Sequence, residues 1–218
     1  MSELYGDQHL AMQDQFDTRS MAERISQMIV LSEIEDRHKG FIETRDLFFL
    51  TTVDHRGYPT CSYKGGTPGF VKVPDNKTLV FPSYDGNGMF LSMGNITANN
   101  KVGLLFIDFE TPHRVRVHGT ATIDPNDPRQ ADFHGAELVV RVTVTDIFVN
   151  CSRYIHRYQR IQTSKYAPQA DCVTPLPQWK RIDALQDALP ERDKTIARAL
   201  GGTITPEEYG AMLMNGEV

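Results

Sequence analysis

The sequence predicts a mainly β protein, a small antiparallel barrel of about six strands over residues 46–149 with helices added at both ends. Between Asp46 and Gly119, β-type segments follow one another through tight turns. One short helix-like insert, Met89 to Ala98, is all that interrupts them. A meander of that order closes on itself as a small barrel, not as a doubly wound sheet. The last long segment, Leu138 to Val149, is dense in β-branched residues at Val139, Val140, Val142 and Val144.

Taken in order, residues 8–44 read as a helical cover. Met21, Ile25, Met28 and Ile29 recur at helical spacing, and Ser32 with Glu35 forms a capping box. Leu47 to Val53 is a nearly continuous apolar run, suited to a strand buried on both faces. Asp54-His55-Arg56-Gly57 turns the chain into a second strand, Pro59 to Lys64. Gly65, Gly66, Pro68 and Gly69 break that strand before Phe70 to Val73, and Pro74-Asp75-Asn76-Lys77 leads to Thr78 to Pro82. Lys101 to Phe109 and Arg114 to Ile123 make a hairpin through Glu110-Thr111-Pro112-His113. Beyond Asn150 the pattern degrades. Residues 163–178 carry three prolines and read as an extended arm, and two or three helices close the chain. Thr205-Pro206-Glu207-Glu208 supplies an N-cap, a proline at the first helical position and a box partner. The expected organisation is a helical cover over 1–45, a barrel over 46–150, and an arm with helices packing on the barrel over 151–218.

Bulk properties exclude several classes. The 218 residues are 40% hydrophobic and 23% charged, with a formal net charge of −5 and no stripe of Lys and Arg. A nucleic-acid partner is therefore not expected. No apolar run approaches the roughly 20 residues that span a bilayer, and no secretory signal opens the chain, which leads to the expectation of a cytoplasmic protein without a membrane partner. Cys61, Cys151 and Cys172 are widely spaced and form no CxxC pair, so reduced thiols are expected. The seven histidines include no HExxH, and no metal site is expected.

Chemistry has few places to sit. Ser83-Tyr84-Asp85-Gly86-Asn87-Gly88 opens the inserted helix, and its glycines let backbone N–H groups turn toward one point beside the helix's positive end. Lys64 ends a strand beside two glycines that would admit a ligand closely. Arg114 and Arg116 share one strand face, with Val115 and Val117 on the other. Two like charges on one face repel unless an anion, a carboxylate or a subunit boundary lies against them. Arg153, Tyr154 and His156 follow the final strand, where they suit a lid or a piece of a partner subunit's site. No acid–base or nucleophile constellation stands out, so the catalytic residues are left unassigned.

The stretches FFLTTVDHRGYPTCSYKGG, TLVFPSYDGNGMFLSMGNITANNKVGLLFIDF and RVRVHGTATI resemble the pyridoxamine 5′-phosphate oxidase-like flavin-binding split-barrel superfamily. That resemblance implies a six-stranded antiparallel split β-barrel, a homodimer, and FMN held in a groove between subunits. It also implies contacts from Lys64, from Ser83 and Tyr84, from the phosphate loop at Asn87, Gly88 and Met89, and from Arg114 and Arg116. This chain carries Asn87-Gly88-Met89 where the oxidase carries an Arg-Lys pair, so phosphate contacts would fall to Lys64, Arg114 or backbone amides. The implied activity is an FMN-dependent oxidoreductase acting on a small-molecule substrate. Its alternatives are a flavin-binding module without turnover, or a split barrel holding haem (through His118 or His156) or a deazaflavin.

Overall fold

The computed structural model describes residues 4–217. Residues 1–3 and 218, at the ends of the expected terminal segments, lie outside the described residues. The chain divides into two compact units, residues 1–163 and 164–218.

The first unit opens with three helices, α1 (Asp7–Gln15), α2 (Arg19–Ile29) and α3 (Asp36–Glu43). Seven strands follow, with one helix among them. They are β1 (Leu47–Val53), β2 (Pro59–Gly65), β3 (Lys72–Asp75), β4 (Thr78–Tyr84), α4 (Leu91–Ala98), β5 (Lys101–Asp108), β6 (His113–Ile123) and β7 (Ala136–Val149). All pair antiparallel in one sheet of order β2-β1-β5-β6-β7-β4-β3. The expectation of six strands in a barrel is corrected here: there are seven, and the sheet is open, with β2 and β3 at its edges. The four-residue β3, which overlaps the segment expected at Phe70 to Val73, pairs only with β4.

Although open, the sheet curls until distant strands meet. The ring of Phe48 on β1 lies 4.9 Å from Phe81 on β4, and 5.1 Å from Phe106 on β5. These three fully buried rings, with Leu50, Leu79, Val115, Val117 and Ile147, form the main core. Curvature is helped by a bulge between His118 and Gly119, where β6 meets β7. A Cβ on Gly119 would come 2.5 Å from the carbonyl oxygen of Thr143, so only glycine admits this approach.

Two local readings are corrected by the packing. β1 alternates between fully buried and half-buried positions, because the curled core covers only the face of Phe48, Leu50 and Thr52. The cap of α3 is Glu35, not Ser32. The Glu35 N–H donates to Nδ1 of the buried His38, while the Ser32 carbonyl accepts from Lys77 Nζ. The expected helical stretch at 8–44 is thus broken twice, once at Asp17 and Thr18 and again at 30–35.

The second unit contains no strand among its described residues. Its helices are α5 (Glu191–Ala199) and α6 (Pro206–Asn215), with 3-10 turns at Gln178–Arg181 and Asp183–Leu185. Residues 164–177 have no helix, as the prolines predict. Thr205 caps α6 as expected: its hydroxyl accepts from Glu208 N, and the Glu208 carboxylate accepts from Thr205 N. Lys180 and Asp193 form a buried ion pair at 2.9 Å.

Candidate functional site: a cleft between β2, β4 and α4

A cleft of about 220 Å³ opens where β2, the end of β4 and the start of α4 converge. It brings together Lys64, Ser83, Tyr84, Asn87, Gly88 and Met89, and adds Ser62, Phe90 and Ser92, which sequence reasoning did not single out. No carboxylate and no imidazole lines it.

Its chemistry follows from the strand register. Lys64 pairs with Phe48, so its side chain leaves β2 on the same face as Phe48, where it lines the cleft. Among the described residues that ammonium has no carboxylate or hydrogen-bond partner. Burial alone holds its pKa below the ordinary lysine value. Burial likewise raises the pKa of Tyr84, which keeps that phenol a neutral donor. Gly65 and Gly66 do not open a path to Lys64: the space a Cβ would need is taken by the rings of Tyr63 and Phe70.

The phosphate-loop reading is refined. Asn87 accepts from the backbone N–H of Met89 at 3.1 Å, so that amide is already used. α4 has no side-chain cap, and its N-cap is Phe90 in the left-handed region at φ 48°. A bulky aromatic rarely adopts that conformation, so tertiary contacts must impose it. The first amides of α4 therefore keep their donors at the cleft wall formed by Leu91, Ser92 and Met93.

Other predicted residues lie elsewhere in the chain. Arg114 and Arg116 share the sheet face opposite the core, as their alternation with buried Val115 and Val117 requires. Arg114 Nη2 donates to the carbonyl of Cys151 at 2.8 Å, and its Nε is buried without a partner among the described residues. Arg116 sits 5.7 Å from the ring of Phe148. Arg153, Tyr154 and His156 are exposed in an irregular segment after β7. None of the five lines the cleft. Among the described residues, no three His, Cys, Asp or Glu side chains are grouped to hold a metal ion, and no helix is long and apolar enough to cross a membrane.

Three solved structures are similar over half of the chain or more. HupZ of Group A Streptococcus is 24% identical over 53% of this chain and 93% of its own, with a TM-score of 0.44. A candidate pyridoxamine 5′-phosphate oxidase of Lactobacillus delbrueckii is 23% identical over 54% and 95%, with a TM-score of 0.45. An FMN-binding protein of Syntrophomonas wolfei is 9% identical over 64% and 97%, with a TM-score of 0.41. No curated protein matches the chain. The family model described as pyridoxamine 5′-phosphate oxidase matches residues 34–159, which span the entire sheet and α4 and make up more than half of the sequence. The chain belongs to the pyridoxamine 5′-phosphate oxidase family.

Proposed function

We propose that the cleft binds the phosphate end of FMN and that the protein is a flavin-dependent oxidoreductase acting on a small molecule. The observation that carries this reading is Lys64, an ammonium in a cleft lined by no carboxylate among the described residues. A buried cation without a partner costs free energy that an anion would recover. The donor set suits a phosphate: Lys64, the hydroxyls of Ser62, Ser83, Tyr84 and Ser92, and the uncapped start of α4. When bound, the isoalloxazine supplies the redox chemistry. The protein's part is to hold, orient and shield it, which accords with a cleft lacking any acid–base pair.

The reading includes a second copy of the chain. A cleft of about 220 Å³ falls below the roughly 300–1,000 Å³ of small-molecule sites, so one protomer would wall only part of the cofactor. At its rim Met89, Phe90 and Leu91 are each more than half exposed. On the open sheet face, Tyr63, Phe49, Leu105, Arg116 and Phe148 line up across five strands, an apolar row with one cation. A two-fold partner on these surfaces would complete the site. Arg114, Arg116, Arg153, Tyr154 and His156 would then face the partner's cofactor. Neither His118 nor His156 lines the cleft, so the haem alternative has no axial ligand there.

The test is the absorption spectrum of the purified full chain, followed by titration with FMN. Flavin bands or saturable FMN binding support the reading, and a protein that rejects FMN overturns it. Stopped-flow reduction with a nicotinamide donor, then reoxidation by quinone or nitro acceptors, separates an enzyme from a binding module.

A further inference from the structure

Thr60, Ser62 and Lys64, alternate residues of β2, share the strand face that carries α4 and the cleft. Helix side chains meet the first two. Asn95 donates from Nδ2 to the hydroxyls of Thr60 at 3.1 Å and Thr52 at 3.0 Å, and those hydroxyls are 2.8 Å apart. One turn earlier on the helix, Ser92 Oγ lies 2.9 Å from Ser62 Oγ.

Counting hydrogens separates these rungs. Thr60 Oγ1 also lies within reach of the Thr52 carbonyl at 3.4 Å. With Thr60 donating to that carbonyl and Thr52 donating to Thr60, both hydroxyls accept from Asn95 and each hydroxyl hydrogen has a partner. The threonine rung is closed. At the serine rung one hydroxyl donates to the other, which leaves a single O–H free, and both serines line the cleft. Lys64, the third rung, has no protein partner among the described residues. The apolar contacts of α4 through Met93 and Ile96 are non-directional and do not by themselves fix where the helix stands along β2. The closed rung does.

We propose that Asn95, which does not line the cleft, is a positioning residue for its ligand, locking α4 to β1 and β2 so that the spare serine hydroxyl and Lys64 converge on one anion. This rests on the reading that the cleft takes a phosphate. Asn95 touches no ligand, and its effect passes through Ser92 and the α4 wall.

Inorganic phosphate, titrated into the full chain while the Lys64 side-chain resonances are followed by NMR, provides the test. Asn95→Ala should weaken phosphate binding about tenfold, so that the midpoint of the Lys64 response moves to about ten times the wild-type phosphate concentration. Thr60→Val, isosteric and lacking one acceptor, should weaken it about threefold. A merely structural asparagine would lower the melting temperature yet leave the folded protein's phosphate affinity unchanged, and that result overturns the proposal. If Asn95→Ala fails to fold, Thr60→Val decides, with wild-type affinity again overturning it. A wild-type chain that shows no Lys64 response to phosphate removes the phosphate reading along with this one. Binding by wild type and by both variants alike removes this one alone.

Discussion

Lys180 and Lys64 are both drawn out of bulk water, and on opposite terms. Lys180, in the second unit, is 2% exposed, with its ammonium 2.9 Å from the carboxylate of Asp193, itself 6% exposed. Lys64, in the first unit, is half-buried with no carboxylate near it. A charge removed from water beside a counter-charge can be part of a fold's own balance, whereas one left without a partner at the mouth of a cleft is a cost that folding alone does not recover. The first is an internal tie. The second is the group on which the proposed anion site rests.

The strongest way to break this comparison is to remove the internal partner. Asp193→Ala removes the carboxylate 2.9 Å from the Lys180 ammonium and should cost about 3–5 kcal/mol, read as loss of helical signal from residues 164–218 during urea unfolding. A cost below about 1 kcal/mol would mean that the Asp193 carboxylate is not what holds Lys180 in place, and the contrast would collapse.

The converse change sharpens it. Lys64→Met keeps the stem and removes the charge, so the unliganded protein should gain roughly 1 kcal/mol while FMN affinity falls tenfold to a hundredfold. The pH dependence has a definite sign. Burial depresses the Lys64 pKa, so between that value and the ordinary 10.5 the unfolded chain holds more protons than the native one. Wild-type stability therefore gains from this group as pH rises through that window. The methionine variant lacks that contribution, and bound phosphate, by favouring the charged lysine, reduces it. Matched calorimetric melts of wild type and variant across the alkaline range check this.

The smallest effect comes from a third buried base. His38 uses Nδ1 to accept from Glu35 N, so it must be neutral, and burial followed by the Arg37 charge holds its pKa below 6.5. Glu35 opposes that shift, and His113 reinforces it. Stability should fall as pH drops from 6.5 toward the native value and level off below it, with a slope of at most about 1.4 kcal/mol per pH unit. His38→Asn should remove that slope in acid-range unfolding curves. An unchanged slope would show that His38 does not carry it.

How far the sequence could be read depends on the range of the forces involved. The strands were legible because apolar runs, β-branching and turn chemistry are local, as the bounds of Leu47–Val53 show, although the expected burial of that strand on both faces was not found. The N-cap at Thr205 was legible for the same reason. The cap of α3 was missed because a histidine acceptor three residues on is not a usual capping signal. Gly65 and Gly66 were misread because the side chains that fill their space, Tyr63 and Phe70, turn back onto them only in the folded chain.

What the sequence determined by itself is the order of elements, the β class, the α4 insert and the family. The first three rest on apolar patterning and on turn residues whose preferences act within a few positions, and the family rests on the resemblance of the quoted stretches. Tertiary structure alone decided that the sheet stays open with seven strands, that α4 is pinned by Asn95 and Ser92, and that Lys64 reaches the cleft while Arg114 does not. Each of these depends on register between segments dozens of residues apart, and a one-residue slip would turn Lys64 to the opposite face. No local preference encodes that choice, and the curled core around Phe48, Phe81 and Phe106 makes it.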